Sequence, residues 1–267
     1  MTLLFSLLAC TIVAGSGNTA TAELEVEDFS AFNNATLIDV SWTQGEPAAA
    51  LTCDDNLLDF LALVEDDSGA LTIQTDMNVI LRPTVPCTLE LQSSCLGRYA
   101  GSGSGGLSIE ESCELQEISL SGSGGVEVAH LASDSLDIDL SGSGGVFVES
   151  AETGPLSVHL SGSGGVAFDS LIAGDVDADF SGSGGLSAAG EAGDLDLDTS
   201  GSGGLDAQGL SVEDAAVHIS GSGSSSVAVY GTLDADLTGS GSLYVYGDPV
   251  DATVSSSGSG EVVIAGD

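Results

Sequence analysis

Two of the chain's three histidines, His159 and His218, lie among aspartates at a fixed offset from a repeated glycine-serine motif. Two residues before successive copies of that motif, the sequence reads Ser119, Asp139, His159, Asp179, Asp198, His218, Asp236 and Ser255. Imidazole nitrogens and carboxylate oxygens ligate divalent cations. Asp139, His159 and Asp179 therefore form one candidate metal site, and Asp198, His218 and Asp236 a second. The plainer chemistry is charge relief. Adjacent carboxylates repel by ~1 kcal/mol at 4 Å even in water, and a histidine between two aspartates interrupts the run. The next position on the same face agrees, because the histidine repeats carry Ser157 and Ala216 where their neighbours carry Asp137, Asp177, Asp196 and Asp234. No cofactor is expected beyond weak Ca²⁺ binding by these aspartate rows. Calcium-binding solenoids of the nonapeptide type place aspartates inside their glycine corners, and this chain does not.

Catalysis finds little support in the residues. A glycosidase needs two carboxylates. The chain has 41 Asp and Glu, and none is set apart by its spacing. A polysaccharide-acting enzyme on this scaffold is thus the alternative reading, and a non-catalytic protein the expectation. A lyase would need cations to neutralise uronates, yet Arg82 and Arg98 are the only basic residues apart from histidine. The formal net charge of −39 excludes nucleic acid as a partner and removes any electrostatic attraction to anionic lipid. Such a surface attracts cations and basic proteins, and it stays soluble where salt screens its self-repulsion. An envelope protein or a glycan is the expected partner class, with membrane contact only through a lipid anchor.

The amino terminus, "MTLLFSLLACTIVAGSGNTATAEL", has an apolar run too short to span a bilayer and suited to export. "LLAC" resembles a lipoprotein box, with Cys10 as the lipidated residue and residues 1–22 as export signal and tether. "ATA" at Ala20–Ala22 fits a cleavage site that would release a soluble form. Both readings place the protein outside the cytoplasm, as an outer-membrane or cell-surface lipoprotein or as a periplasmic or secreted protein. Four further cysteines, Cys53, Cys87, Cys95 and Cys113, suit an oxidising compartment and allow three pairings. Cys95 and Cys113 lie seven and eight residues before successive motifs, so stacking brings them within disulfide range and leaves Cys53 for Cys87.

The repeat itself positions these side chains. Gly-Ser-Gly preceded by Ser or Thr begins at Ser102, Ser121, Ser141, Ser161, Ser181, Ser200, Ser220, Thr238 and Ser257, at spacings of 18 to 20 residues. Self-similarity at this period is the mark of a solenoid. Between the motifs run alternating segments such as Val126-Glu127-Val128 and Leu136-Asp137-Ile138-Asp139-Leu140. Their period of two means strands with one buried face, and no helical periodicity intervenes. Leu131 and Leu171 fall in a short connection read as a third side of each coil. The fold expected is all-β, a parallel β-helix of about 19–20 residues per coil, with strands stacked about 4.8 Å apart. Glycine at the corners is expected to supply positive φ, residues stacked at so tight a corner must also be small, and the corner serines Ser123, Ser143 and Ser163 are expected to hydrogen-bond up the stack. Phe147, Tyr244 and Tyr246 are outward or nearly so by alternation, which suits a sugar-stacking or protein-contact patch, isolated surface residues or a cover for the C-terminal end.

Residues 23–100 are less regular and are expected to form irregular coils and a cap, continuous with the regular stack of 101–267. Strands are expected near Ile38–Trp42 and Leu71–Gln74, with a turn at Asp67-Ser68-Gly69. The order "IDV", "TQGE", "DDNLLDFL", "GALTI" and "TLEL", followed by the "SGSG" ladder, resembles the bacterial head GIN domain family of auto-transporter adhesin heads (DUF2807). The resemblance covers nearly all of residues 24–267. It implies an exported protein, often a lipoprotein, with a right-handed β-helix, an adhesive role and no catalytic residues. The acidity, the number of coils and the cysteines depart from the family pattern.

Overall fold

A computed structural model of the chain describes residues 10–66, 68–76 and 78–266. Asp67 of the expected turn and residues 1–9 of the export segment lie outside these. Strands dominate, and the 3-10 turn Leu58–Phe60 is the single helical element among the described residues. Two long sheets, of twelve and thirteen strands, carry the architecture. Each regular coil gives one strand to each sheet. Val126–Ser133 lies in the thirteen-stranded sheet and Leu136–Leu140 in the twelve-stranded one. Successive coils pair in parallel, residue over equivalent residue: Ile118 over Ile138, then Val158, Ala178, Leu197, Val217 and Ala235. All seven are fully buried, so alternation becomes a continuous aliphatic column inside the stack.

The third side takes a different form from the expected separate connection. Val126–Ser133, Val146–Thr153 and Leu205–Val212 are single strands of 8 residues. Within them the alternation slips by one step, so Val128 and Leu131 both face inward. The strand bends around the core while keeping its ladder.

Of the two expected reasons for glycine at the corners, smallness holds and positive φ does not. None of the glycines in the repeated Gly-Ser-Gly corners has positive φ. A Cβ on Gly122 would lie 1.9 Å from the Gly103 carbonyl oxygen, and one on Gly142 would lie 2.0 Å from that of Gly122. The coils approach backbone to backbone, and glycine is what that closeness admits. The Gly122 carbonyl accepts from the Ser143 and Gly144 amides at 3.0 and 3.2 Å, a pairing repeated up the stack. Main-chain groups therefore make the ladder that was expected of the serine hydroxyls. For both glycines of each Gly-Ser-Gly triplet the clash points to the preceding coil. Gly103 meets Thr36, whose own corner, Asn34 to Ile38, contains no glycine and is closed by the Asn34 side chain.

At the amino-terminal end, spatial order departs from chain order. Asp39–Gln44 pairs on one side with Leu107–Glu111 and on the other with Thr88–Ser93. The intervening chain descends below the first coil before it returns. On the way, Ala48–Asp54 and Leu61–Glu65 add antiparallel strands that close the two sheets. Phe29, Phe32, Trp42 and Tyr99 fill this end, and Trp42 Nε1 donates to Ser93 Oγ at 2.9 Å. Cys53–Cys87 and Cys95–Cys113 are disulfides, with Cα atoms 4.3 and 5.7 Å apart.

The stretch read as a tether is strand. Thr11–Ala14 pairs in parallel with Val79–Arg82, and Thr19–Leu24 pairs antiparallel with Ala48–Asp54. The buried Asp54 carboxylate accepts from the amides of Gly17 at 2.6 Å, Thr84 at 2.8 Å and Val85 at 3.2 Å. Gly15 crosses so close to that carboxylate that a Cβ there would collide with it. A pinned carboxylate and two ladders hold these residues against the body.

Candidate functional site

The outward face of the twelve-stranded sheet carries the histidine row. Its register follows the repeat without a slip: Ser119 over Asp139, then His159, Asp179, Asp198, His218, Asp236 and Ser255. His159 Nε2 lies 3.4 Å from Asp179 Oδ2, and Nδ1 lies 3.8 Å from Asp139 Oδ1. Both expected neighbours therefore face this imidazole, one on each side. A third carboxylate, Asp137, reaches within 3.9 Å of Nδ1. Ser157 Oγ shares a hydrogen bond with that same nitrogen at 3.2 Å.

The ligand atoms converge differently from the expected triads. Asp137, Asp139 and His159 bring one ligand atom each within 4.8 Å of one another, as do Asp196, Asp198 and His218. Asp179 and Asp236 lie on the far side of their histidines and complete neither group. The His218 imidazole approaches Asp198 at 4.0 Å. The physical reason is the pleat. In an Asp-x-Asp segment both carboxylates project from one face of one strand, and both can lean toward the histidine of the next coil. Asp137 and Asp196 were legible as a second outward row, but the sequence does not say which way their side chains lean. All of these groups are substantially solvent-exposed.

A third row went unnoticed in the sequence. At the entry to the same sheet, Asp175, Asp194 and Asp214 stack coil on coil. The Asp194 amide donates to Asp175 Oδ1 at 3.1 Å, the Asp214 amide to Asp194 Oδ1 at 3.4 Å, and the Thr232 amide to Asp214 Oδ1 at 2.6 Å. Hydrogen bonds from Thr232 hold the Asp214 carboxyl below the ordinary carboxylate range. These aspartates spend one oxygen on the backbone of the next coil, so part of the acidity is structural.

Two open grooves run along the stack beside these rows. One, of about 670 Å³, lies between the corner serines, among them Ser141 and Ser161, and the row Asp139, His159, Asp179. The other, of about 890 Å³, follows Asp137, Asp177, Asp196 and the Asp175 row. Of the exposed aromatics, Phe147 stands apart from Tyr230 and Tyr244, which lie in the last two full coils. Phe147 and Tyr244 share an outward row of the opposite sheet but stand five coils apart, about 24 Å at strand spacing.

No curated protein matches the chain. Among solved structures, it resembles a "putative lipid binding protein" from Parabacteroides distasonis at 26% identity and a TM-score of 0.67, covering 95% of this chain and 100% of that one. A "putative adhesin" from Parabacteroides merdae follows at 21% identity and a TM-score of 0.66, over 95% and 99%. Another from Bacteroides fragilis has 21% identity and a TM-score of 0.57, over 94% and 98%. The last two attest the fold alone. A family profile, "Putative auto-transporter adhesin, head GIN domain", matches residues 28–188 and 146–249, overlapping as a repeat that can align one or more coils along. The match takes in the cap and nearly all the coils, and the chain belongs to the head GIN domain family.

Proposed function

We propose that the chain is an exported, non-catalytic module of the cell envelope that adheres through its acidic solenoid faces. The observation that carries this reading is the uniformity of the twelve-stranded sheet. Its register runs from Arg98–Gly101 to Asp251–Ser256 without a slip and sets carboxylates along one face. A repeated surface of this kind suits many weak contacts with an extended partner better than one reaction centre. Family membership supports it. The lipid-binding name of the Parabacteroides distasonis protein does not transfer well, because the interior here is a continuous side-chain core and the grooves are lined by carboxylates.

The two disulfides suit an oxidising compartment. Cys10 is exposed and immediately precedes the paired strand Thr11–Ala14. Cleavage after Ala22 would remove that strand, four of the six residues of Thr19–Leu24 and the Gly17 amide from Asp54. Retention from Cys10, as a lipid-anchored form, is the better fit. Cations, Ca²⁺ among them, would bridge the aspartate rows to an anionic partner, with the Asp137–Asp139–His159 and Asp196–Asp198–His218 groups as their places. The test is a binding screen of the purified chain against glycans and envelope proteins, with and without Ca²⁺. Binding to an extended partner is expected; no binding in either condition overturns adhesion and leaves a purely structural role.

A further inference from the structure

From Val126–Ser133 to Leu205–Val212, the strands of the thirteen-stranded sheet have 7 or 8 residues. The next, Ser225–Val229, has 5. Asp206 and Ala207 pair with Ser226 and Val227, and the register then jumps to Ser211 and Val212 beside Ala228 and Val229. Gln208, Gly209 and Leu210 have no partner in the next coil. The wider coil therefore stands out as a ledge, and the narrower coils rise from it as a wall. Ala228 alternates outward between Val227 and Val229, yet it is only 5% exposed, so the angle between ledge and wall is recessed.

The wall carries three of the chain's four tyrosines, the fourth, Tyr99, being part of the core. Tyr244 and Tyr246 point outward from Leu243–Tyr246, about 7 Å apart along the strand. Tyr230 follows the shortened strand and lays its ring against Gly247 of the coil above, where a Cβ would lie 3.3 Å from it. Tyr230 and Tyr244 are 46% and 43% exposed. Leu243–Tyr246 is paired on both sides, so its rings lie on a face of the sheet and not at its edge. Below Tyr244, in the same outward row, come Ser226 and then Asp206. Ser226 Oγ donates to one carboxylate oxygen of Asp206, Oδ1, at 3.1 Å, which leaves the other to accept from a ligand.

We infer that this step is a saccharide site, taking an uncharged glycan whose sugar rings stack on the tyrosines. The inference rests on the adhesive reading and names a ligand class and a place for it. A pyranose ring has C–H faces that pack on aromatic rings and rim hydroxyls that need polar partners. Phenol rings beside Asp206, Ser226 and Gln208 supply both. Charge narrows the class: Ser225–Val229 and Leu243–Tyr246 contain no charged residue, and a molecule of net charge −39 repels anionic polymers. Size argues against a protein partner, because three tyrosines, each less than half exposed, offer far less than the ~800 Å² per partner of a standard interface.

The test is saturation-transfer NMR and affinity titration of the purified chain with cellohexaose, maltohexaose and chitohexaose, in EDTA, with polygalacturonate as the anionic control. At least one neutral hexasaccharide is expected to bind without a divalent cation, and polygalacturonate is not. Tyr244→Ala and Tyr230→Ala should each weaken binding about fivefold or more, whereas Tyr244→Phe should retain it. Phe147→Ala, on a regular coil of the same sheet, should leave it unchanged. Because these side chains are exposed, the circular dichroism of every variant should match the parent. Binding indifferent to both tyrosine-to-alanine variants, or weakened equally by Phe147→Ala, overturns the site and leaves adhesion through the acidic faces standing. Failure of every neutral saccharide does the same, as does binding that EDTA abolishes. Tyrosine-dependent self-association without saccharide binding would assign the face to a second copy and overturn the inference as well.

Discussion

Replacing Gly162 by alanine tests the corner geometry directly. The new Cβ would lie 2.0 Å from the Gly142 carbonyl oxygen and 2.6 Å from that of Ser141, where ordinary contact begins near 3.4 Å. The two coils would have to part by more than an ångström. The Gly142 carbonyl accepts from the Ser163 amide at 3.0 Å and the Gly164 amide at 3.3 Å, and the same movement breaks both bonds. Each is worth about 0.5–1.5 kcal/mol, and forcing a methyl group against main chain adds about 1–3 kcal/mol. The expected loss is therefore about 2–6 kcal/mol. The matched control is Gly125→Ala, whose Cβ would meet the Gly145 carbonyl oxygen at 3.4 Å, an ordinary contact. Its effect should stay within about 0.5 kcal/mol. The chain itself sets the precedent, with Ser224, Ser242 and Glu261 at the positions equivalent to Gly125. Urea unfolding followed by circular dichroism reads both variants. Equal losses from the two, or a Gly162→Ala loss below about 1 kcal/mol, would refute the close-approach account.

Three further outcomes are expected. His159→Asp places a carboxylate between Asp139 and Asp179, adding two like-charge contacts of ~1 kcal/mol each in water, so the melting temperature should fall at low salt and recover as salt rises; a salt-independent fall would count against charge relief. Cys95→Ser opens a bridge across a sequence separation of 18 and should cost about 3 kcal/mol, measured by denaturant unfolding against the oxidised parent. The Asp54 carboxyl is pushed up by burial and pulled down by the amides of Thr84, Gly17 and Val85, which prevail and hold it below 3.8. Its contribution is present above that ordinary value and disappears as pH falls through the lowered one. Hydrogen exchange at Gly17 should therefore be slow in the parent near neutral pH and fast in Asp54→Asn, with the two converging in strong acid; slow exchange in the variant would show that the strand is held by something else.

The regular coils were legible because every level of the sequence agrees on them: the period of the corners, the two-residue alternation, and the small residues at each turn. The histidine row followed from counting alone, since residue-on-residue stacking turns an offset from the motif into a position on a face. The corner glycines were located correctly and explained in half: smallness was right and positive φ was not. Sequence shows that Gly122 and Gly142 recur, but only the stack shows a carbonyl 2 Å from where their side chains would be. The choice of Asp137 over Asp179 for the cation group depends on rotamers, which carry no sequence signal. Within residues 46–97 the strand near Leu71–Gln74 and the Cys53–Cys87 pairing were legible, but the path of the chain was not, because its order in space is not its order in sequence. Gly15 to Ala22 has the composition of a linker, and the buried Asp54 that pins it lies more than thirty residues away.

The carbonyl that excludes a side chain at each corner is furnished by whichever coil lies beneath, and every regular coil furnishes the same one. Splicing Leu140 directly to Ser161 would seat an unchanged corner on an unchanged neighbour, and duplicating the segment between them would do the same. Length is therefore a quantised trait of this protein. The length of its stack can be trimmed or extended by about 4.8 Å at a time through gain or loss of whole units, with no other part of the molecule redesigned.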